Sequence, residues 1–317
     1  MKKKFLKFGN QLYFNEANPM KKIIVIAGPT ASGKTSLAVA LAKQMNCPII
    51  SADSRQFYKE LSIGTAKPTG EEMEGIQHYF INSHSVEHPL SAVQYEKQAI
   101  EKVKDLFKKN DSIIVVGGSG LFINALIYGT DQLPHDPAIR DFWNEELEIK
   151  GIAYLQQKLK EVDLGYYNES DIKNPVRLIR ALEIHQITGE PFSKFRKKYT
   201  KTTRFKTHFF VIDYPREELY ERINQRVDIM IENGLVKEVR ENRKHQNLQP
   251  LNTVGYKEIF EYLDFNISHE RAIELIKQNT RRYAKRQLTW FRKEEDAHWL
   301  KPSGTKEMVK TIISTLL

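Results

Sequence analysis

From Lys21 onward, short continuous apolar runs alternate with stretches whose apolar positions recur every three to four residues. The runs Lys22-Ile23-Ile24-Val25-Ile26-Ala27, Pro48-Ile49-Ile50-Ser51 and Ser112-Ile113-Ile114-Val115-Val116 read as buried strands. Between them, Thr35 to Met45 is helix-like, and Ser91 to Lys109 carries helical spacing through Val93, Ile100, Val103 and Phe107. Gly117-Gly118 ends the third run ahead of a further helix, Leu121 to Tyr128. This alternation predicts a parallel α/β sheet. The sheet resumes at His208-Phe209-Phe210-Val211-Ile212, followed by a helix from Arg216 to Asn233 that Gly234 closes.

From about Thr130 to Thr207 the strand signal vanishes. Asp141 to Lys150, Gly151 to Val162 and Pro175 to Thr188 read as helices, which predicts a helical insertion into the α/β core. After Gly234 the chain is predicted helical again, including His269 to Arg292. There Ile273, Ile276, Tyr283, Leu288 and Phe291 form a core stripe, while Arg281, Arg282, Lys285 and Arg286 project elsewhere. The expected organisation is a basic N-terminal extension over 1–20, an α/β core over 21–129 and 208–317 that includes C-terminal helices, and the insertion over 130–207. No internal repeat or low-complexity tract interrupts it.

The strongest chemical signal lies between the first strand and the first helix. Gly28-Pro29-Thr30-Ala31-Ser32-Gly33-Lys34-Thr35 fits the phosphate-loop pattern G-x-x-x-x-G-K-[ST] in the strand–loop–helix setting that gives it physical meaning. Its glycines let successive N–H groups converge on one concavity, and the following helix adds its positive end. Lys34 can reach a terminal phosphate and the Thr35 hydroxyl can ligate Mg²⁺. The loop alone suggests a kinase or NTPase acting on a nucleotide.

Charge adds a larger partner. The chain of 317 residues has a formal net charge of +9, and the excess is segregated. Ile172 to Lys206 holds ten Lys/Arg against Glu183 and Glu190, and Lys277 to Lys293 holds seven basic residues and no acidic one. The first 22 residues add six lysines against Glu16. A polyanion larger than a nucleotide fits this distribution. One cysteine, Cys47, excludes a disulfide framework and a multi-cysteine zinc site, and its place after an apolar helix suggests a small buried residue. There is no apolar stretch of the ~18–20 residues a membrane span needs, nor an apolar segment behind the N-terminal lysines. The expectation is a cytoplasmic protein with no membrane partner.

Two further turns narrow the chemistry. The second strand runs into Ser51-Ala52-Asp53-Ser54-Arg55-Gln56, at the strand edge where open α/β sheets bind ligands. Asp53 there is a magnesium-associated acid, a general base or a helix N-cap, with a functional role favoured by the facing phosphate loop. The third strand ends in Val115-Val116-Gly117-Gly118-Ser119-Gly120, without the acid many phosphate-loop hydrolases carry. Ser119 offers a hydroxyl to a phosphate oxygen.

Read together, GPTASGKT, ISADSRQFYKELSIGTAKP, VVGGSGLF, NPVRLIRALE, VGYKE and RRYAKRQLTWFR resemble the tRNA dimethylallyltransferase (isopentenyltransferase) family, in order from about Lys21 to Trp299. The resemblance implies a phosphate-loop NTPase-like core that transfers a dimethylallyl group from its diphosphate to N6 of the adenosine 3′ to the anticodon. Gly28 to Thr35 would then hold dimethylallyl diphosphate rather than ATP, with Mg²⁺ at Thr35. Arg222 and Arg226 resemble the family's diphosphate-contacting segment, and Arg226 is the preferred contact. Asp53 resembles the general base that accepts the N6 proton. Ser54, Arg55 and Gln56 would read the target base, which must leave its stack. Ser119 stands where the family usually has threonine, which keeps the hydroxyl. For tRNA the resemblance points to Arg140, Arg177 and Arg180, to the segment around Gly255-Tyr256-Lys257, and to Arg286. Val176 replaces a common glutamine. With one cysteine the chain lacks the zinc finger of eukaryotic relatives, so a compact bacterial-type enzyme acting as a monomer is expected. Competing readings are a kinase acting on a small molecule or RNA, and a non-catalytic RNA-binding protein with a relict loop. Residues 1–19 are expected to be dispensable.

Overall fold

The computed structural model describes residues 21–130, 133–196 and 203–316, so the basic extension over 1–20 lies outside them. In chain order the first unit builds β1 (Lys22–Ala27), α1 (Lys34–Met45), β2 (Ile49–Ser51), α2 (Gly70–Met73), β3 (His78–Tyr79), α3 (Ala92–Leu106), β4 (Ser112–Gly117) and α4 (Gly120–Ile127). The second contributes α5 (Pro137–Val162), α6 (Leu164–Glu169) and α7 (Pro175–Thr188). The first then resumes with β5 (Lys206–Ile212), α8 (Arg216–Glu232), α9 (Leu235–Glu241), α10 (Tyr256–Leu263), α11 (His269–Phe291), β6 (Ala297–Leu300) and α12 (Thr305–Leu316).

The six strands form one sheet in the order β3-β2-β4-β1-β5-β6, and every pairing is parallel. Alternate side chains of a strand face opposite ways, so the apolar run of β1 feeds two cores. Ile23, Val25 and Ala27 pack with Tyr95, Ala99 and Val103 of α3 and with Ile123 and Leu126 of α4. Ile24 and Ile26 pack with Leu37 and Leu41 of α1 and with Met308, Val309 and Ile312 of α12. Cys47 joins this second core as a small buried side chain, and burial pushes its thiol up to about 12. A third core joins Tyr58, Leu61 and Val86, from the chain after β2, to Val227, Val239, Tyr256 and Ile276 of the C-terminal helices. That core anchors the loops that line the site.

Two strands differ from the sequence reading. The stretch after Gly234 is not wholly helical: Ala297–Leu300 is an edge strand beside β5, too short to show alternation. The two-residue β3 beside β2 is likewise unmarked, and it makes Ser112–Gly117 the fourth strand in chain order.

The compact units divide at 130/131 and 202/203. Within the second unit, α5 is two helices joined at Gly151, whose φ of 74° and ψ of 174° break the helical path. Asp136 caps α5 ahead of Pro137, and Asn174 caps α7 ahead of Pro175. Trp143, Leu155, Leu159, Tyr166, Leu178 and Leu182 form this unit's own core. In the first unit, buried Glu96 holds both chain crossings: it accepts the N–H of Thr130 at 2.8 Å and pairs with Arg204 at 2.7 Å.

Candidate active site

Parallel strands bring their carboxyl ends to one edge, and three turns at that edge build the site. After β1 the chain curls through Gly28 and Gly33, with φ of 151° and 79°, while Ala31 takes the left-handed region at 63°. Gly28, Pro29 and Ser32 are buried beneath the loop, and a Cβ on Gly28 would lie 3.0 Å from Ser32 Oγ. Thr30, Ala31, Gly33, Lys34 and Thr35 line a cavity of about 930 Å³. Lys34 Nζ donates to the Pro29 carbonyl at 2.6 Å. Burial lowers the Lys34 pKa to about 8, an effect that Asp53 opposes and Arg226 reinforces.

The turn after β2 carries Asp53, Ser54, Arg55 and Gln56, all on the cavity lining. Asp53 Oδ1 accepts the N–H of Arg55 at 3.1 Å. Ser119, after β4, accepts the N–H of Ser54 at 3.1 Å and donates its hydroxyl to Ser54 Oγ at 3.1 Å, stitching the two turns together. Gln56 Nε2 donates to the Ala66 carbonyl at 3.2 Å, and Arg55 Nη1 reaches Gln249 Oε1 at 3.3 Å. Glycine at 117 is required sterically, since a Cβ there would meet the Ala52 carbonyl oxygen at 2.4 Å.

From the opposite side α8 supplies two arginines with different tasks. Arg222 Nε donates to the Ala31 carbonyl at 2.8 Å while its guanidinium lies 4.8 Å from the Tyr214 ring centroid, bracing the loop. Arg226 is buried deeper. Desolvation lowers its pKa, Asp53 opposes that shift, and it donates to the Ala66 carbonyl at 3.4 Å. The remaining wall is mixed: Ile63, Ile223, Val227, Met230, Val254 and Ile276 give it aliphatic surface, beside polar groups that include Lys67, Glu72 and Thr280. The cavity therefore joins cations and amides to an aliphatic surface, which suits an amphiphile with an anionic head.

Three groups that shape the site were not read as site residues from the sequence. Tyr283, read there as core, lines the cavity instead; its hydroxyl is pushed up to about 12 by burial and by Asp53, against its bond to Ser119. Ala284 is the buried residue at that level of α11. Gln287, one turn on, is buried and lines the cavity. Glu238 accepts the N–H groups of Ser62, Ile63 and Gly64 at 3.0, 2.8 and 3.0 Å and the Tyr256 hydroxyl at 2.5 Å. Tyr256 is correspondingly fully buried, so within the Gly255-Tyr256-Lys257 segment only Lys257 is exposed.

The other residues named for RNA contact lie elsewhere. Arg286 is exposed on α11, its guanidinium 5.8 Å from the Tyr283 ring centroid. In the second unit, Arg177 and Val176 are exposed on α7. Arg140 and Arg180 both pair with the fully buried carboxylate of Glu183, at 2.6 and 2.9 Å, and His135 Nδ1 meets it at 2.5 Å. Burial alone would raise the Glu183 pKa; the bonds from His135, Arg140 and Arg180 outweigh it and hold the group at about 2. These two arginines are thus fixed in place, with 40% and 26% of their side chains still accessible. Among the described residues no cluster of three or more His, Cys, Asp or Glu side chains could hold a metal by itself, and no helix is long and apolar enough to cross a membrane.

Residues 56–294 match the sequence model of the family described as IPP transferase. A tRNA dimethylallyltransferase of Cytophaga hutchinsonii is 46% identical over 93% of this chain and 98% of its own length. One from Flavobacterium psychrophilum is 45% identical over 93% and 99%. Among solved structures, the tRNA isopentenylpyrophosphate transferase of Bacillus halodurans superposes with a TM-score of 0.70 at 34% identity, covering 93% of this chain and 95% of that one. A eukaryotic dimethylallyltransferase captured acting on tRNA gives 0.76 at 26% identity, covering 93% and 77%. With its phosphate-loop sheet, its match over most of the chain and relatives of this likeness, the chain belongs to the IPP transferase family of prenyl-transferring enzymes.

Proposed function

We propose that this chain transfers the dimethylallyl group of dimethylallyl diphosphate to N6 of the adenosine 3′ to the anticodon in tRNA, releasing diphosphate. The observation that carries the reading is the cavity, in which Lys34, Arg226 and Asp53 share space with the aliphatic side chains of Ile63, Val227, Met230 and Ile276. As the C–O bond to diphosphate breaks, negative charge builds on the leaving group, where the loop amides, Lys34 and Arg226 stabilise it. The adenine nitrogen forms the new C–N bond and its proton passes to Asp53, which acts late because an exocyclic amine is a poor acid until it attacks.

Mg²⁺ fits the donor set. Thr35 brings one hydroxyl to the cavity, and Mg²⁺ commonly takes one or two protein oxygens beside phosphate oxygens and water. When bound it would neutralise charge on the departing diphosphate. Ser54, Arg55 and Gln56 line the same cavity and would read the flipped base. Arg140, Arg177, Arg180, Lys257 and Arg286 would contact tRNA phosphates, which position the RNA without reading its sequence. The chain would act as a monomer. A tRNA substrate and the absence of a spanning helix among the described residues support work in the cytoplasm without a membrane.

The test is competitive binding combined with transfer. Dimethylallyl diphosphate should displace ATP from the loop, and label from its prenyl group should enter unmodified tRNA. Preference for ATP with steady phosphate release would instead make the protein a kinase or NTPase.

A further inference from the structure

Gln287 lies on α11, is 6% exposed, and bonds to two different turns. Its Oε1 accepts the N–H of Thr30 in the phosphate loop at 2.9 Å, and its Nε2 donates to the Gly118 carbonyl after β4 at 2.9 Å. One partner is a donor and the other an acceptor, so among uncharged side chains of this length the carboxamide satisfies both. The fit leaves no slack: a Cβ on residue 118 would stand 2.3 Å from Nε2. The Thr30 amide is thus spent on holding the loop's shape. The strut also starts one turn from Tyr283, which lines the cavity, and beside exposed Arg286.

We propose that Gln287 is a positioning residue for the diphosphate: it locks the phosphate loop against the Gly117-Gly118 turn and makes the loop's binding conformation depend on α11. The inference rests on the cavity being the prenyl diphosphate site. Gln287→Met keeps length and volume and removes both hydrogen bonds, leaving the part-buried Thr30 amide and the buried Gly118 carbonyl without this partner. Gly118→Ala reaches the same strut from the other side, since it displaces the carboxamide while leaving Gln287 in the chain. Position 118 has no positive φ, so the added methyl acts through this contact rather than through backbone strain.

The experiment titrates wild type, Gln287→Met, Gly118→Ala and the double variant with dimethylallyl diphosphate and, separately, with unmodified tRNA, alongside steady-state kinetics. Each single variant should lose dimethylallyl diphosphate affinity by about tenfold, roughly one buried hydrogen bond's worth. Its KM for that substrate should rise with kcat changed by less than about threefold, and tRNA affinity should stay within about twofold. The double variant should be no worse than the worse single one, because both substitutions break one strut. Wild-type affinity for dimethylallyl diphosphate in Gln287→Met overturns the proposal, as do equal losses for both ligands or additive losses in the double variant. Should Gln287→Met not fold, the same criteria apply to Gly118→Ala alone. Failure of the wild type itself to bind dimethylallyl diphosphate would overturn the reading of the cavity, a result separable from an unchanged variant.

Discussion

Asp53 ends a core strand, accepts the N–H of Arg55 on one oxygen, and lines the cavity that also holds Lys34 and Arg226. A base in that position contributes to proton removal and little to holding the diphosphate. Asp53→Ala should therefore cut kcat by ~10²–10⁴-fold while the dissociation constant for dimethylallyl diphosphate changes little. Near-normal turnover would move the base elsewhere. Lys34 gives a pH signature of definite sign. Burial brings its pKa down to about 8, and only the charged form attracts diphosphate. Above about pH 7, where the diphosphate is largely ionised, affinity should hold until pH 8 and weaken as pH rises through it, by up to about tenfold per pH unit. Lys34→Arg, which stays protonated, should abolish the slope even if affinity itself drops; a slope that persists would assign it to another group.

Among the elements, legibility followed local periodicity. The phosphate loop and the β2 turn were readable because a few adjacent residues carry their chemistry, and α7 starts and stops where Asn174, Pro175 and Gly189 mark it. Edge strand β6 was missed because four residues hold too little pattern, and its pairing with β5 is set by chain far away in sequence. Gln287 and Glu238 escaped for the same physical reason. A buried polar side chain declares its role only through its partners, here Thr30 and Gly118 for one and the 62–64 amides for the other. Tyr283 was misassigned because an aromatic at helical spacing reads as core until the cavity is seen beside it. The Glu238 network yields a prediction at this scale. Glu238→Gln puts an N–H₂ among three N–H donors, so stability should fall by ~1–3 kcal/mol in urea denaturation. Because Ile63 and Gly64 line the cavity, the KM for dimethylallyl diphosphate should rise as well. An unchanged transition midpoint would show that the loop holds itself.

Across the whole molecule, a net charge of +9 is concentrated in segments that include α7 and α11. The structure separates the arginines of α7 by accessibility. Arg180 is committed to Glu183, whereas Arg177 is exposed and free to meet a phosphate. Arg177→Gln should weaken many tRNAs alike and flatten the log–log salt dependence by ~1 unit. Arg180→Gln should in addition destabilise the second unit by stripping a partner from a buried carboxylate. Binding of dimethylallyl diphosphate alone should be untouched in both. Mass spectrometry of tRNA nucleosides reads the transfer itself. Unmodified tRNA is incubated with the protein, Mg²⁺ and either dimethylallyl diphosphate or ATP. With dimethylallyl diphosphate only, the adenosine 3′ to the anticodon should exchange one N6 hydrogen for a dimethylallyl group. A phosphorylated product from ATP, or tRNA unchanged by either donor, would contradict it.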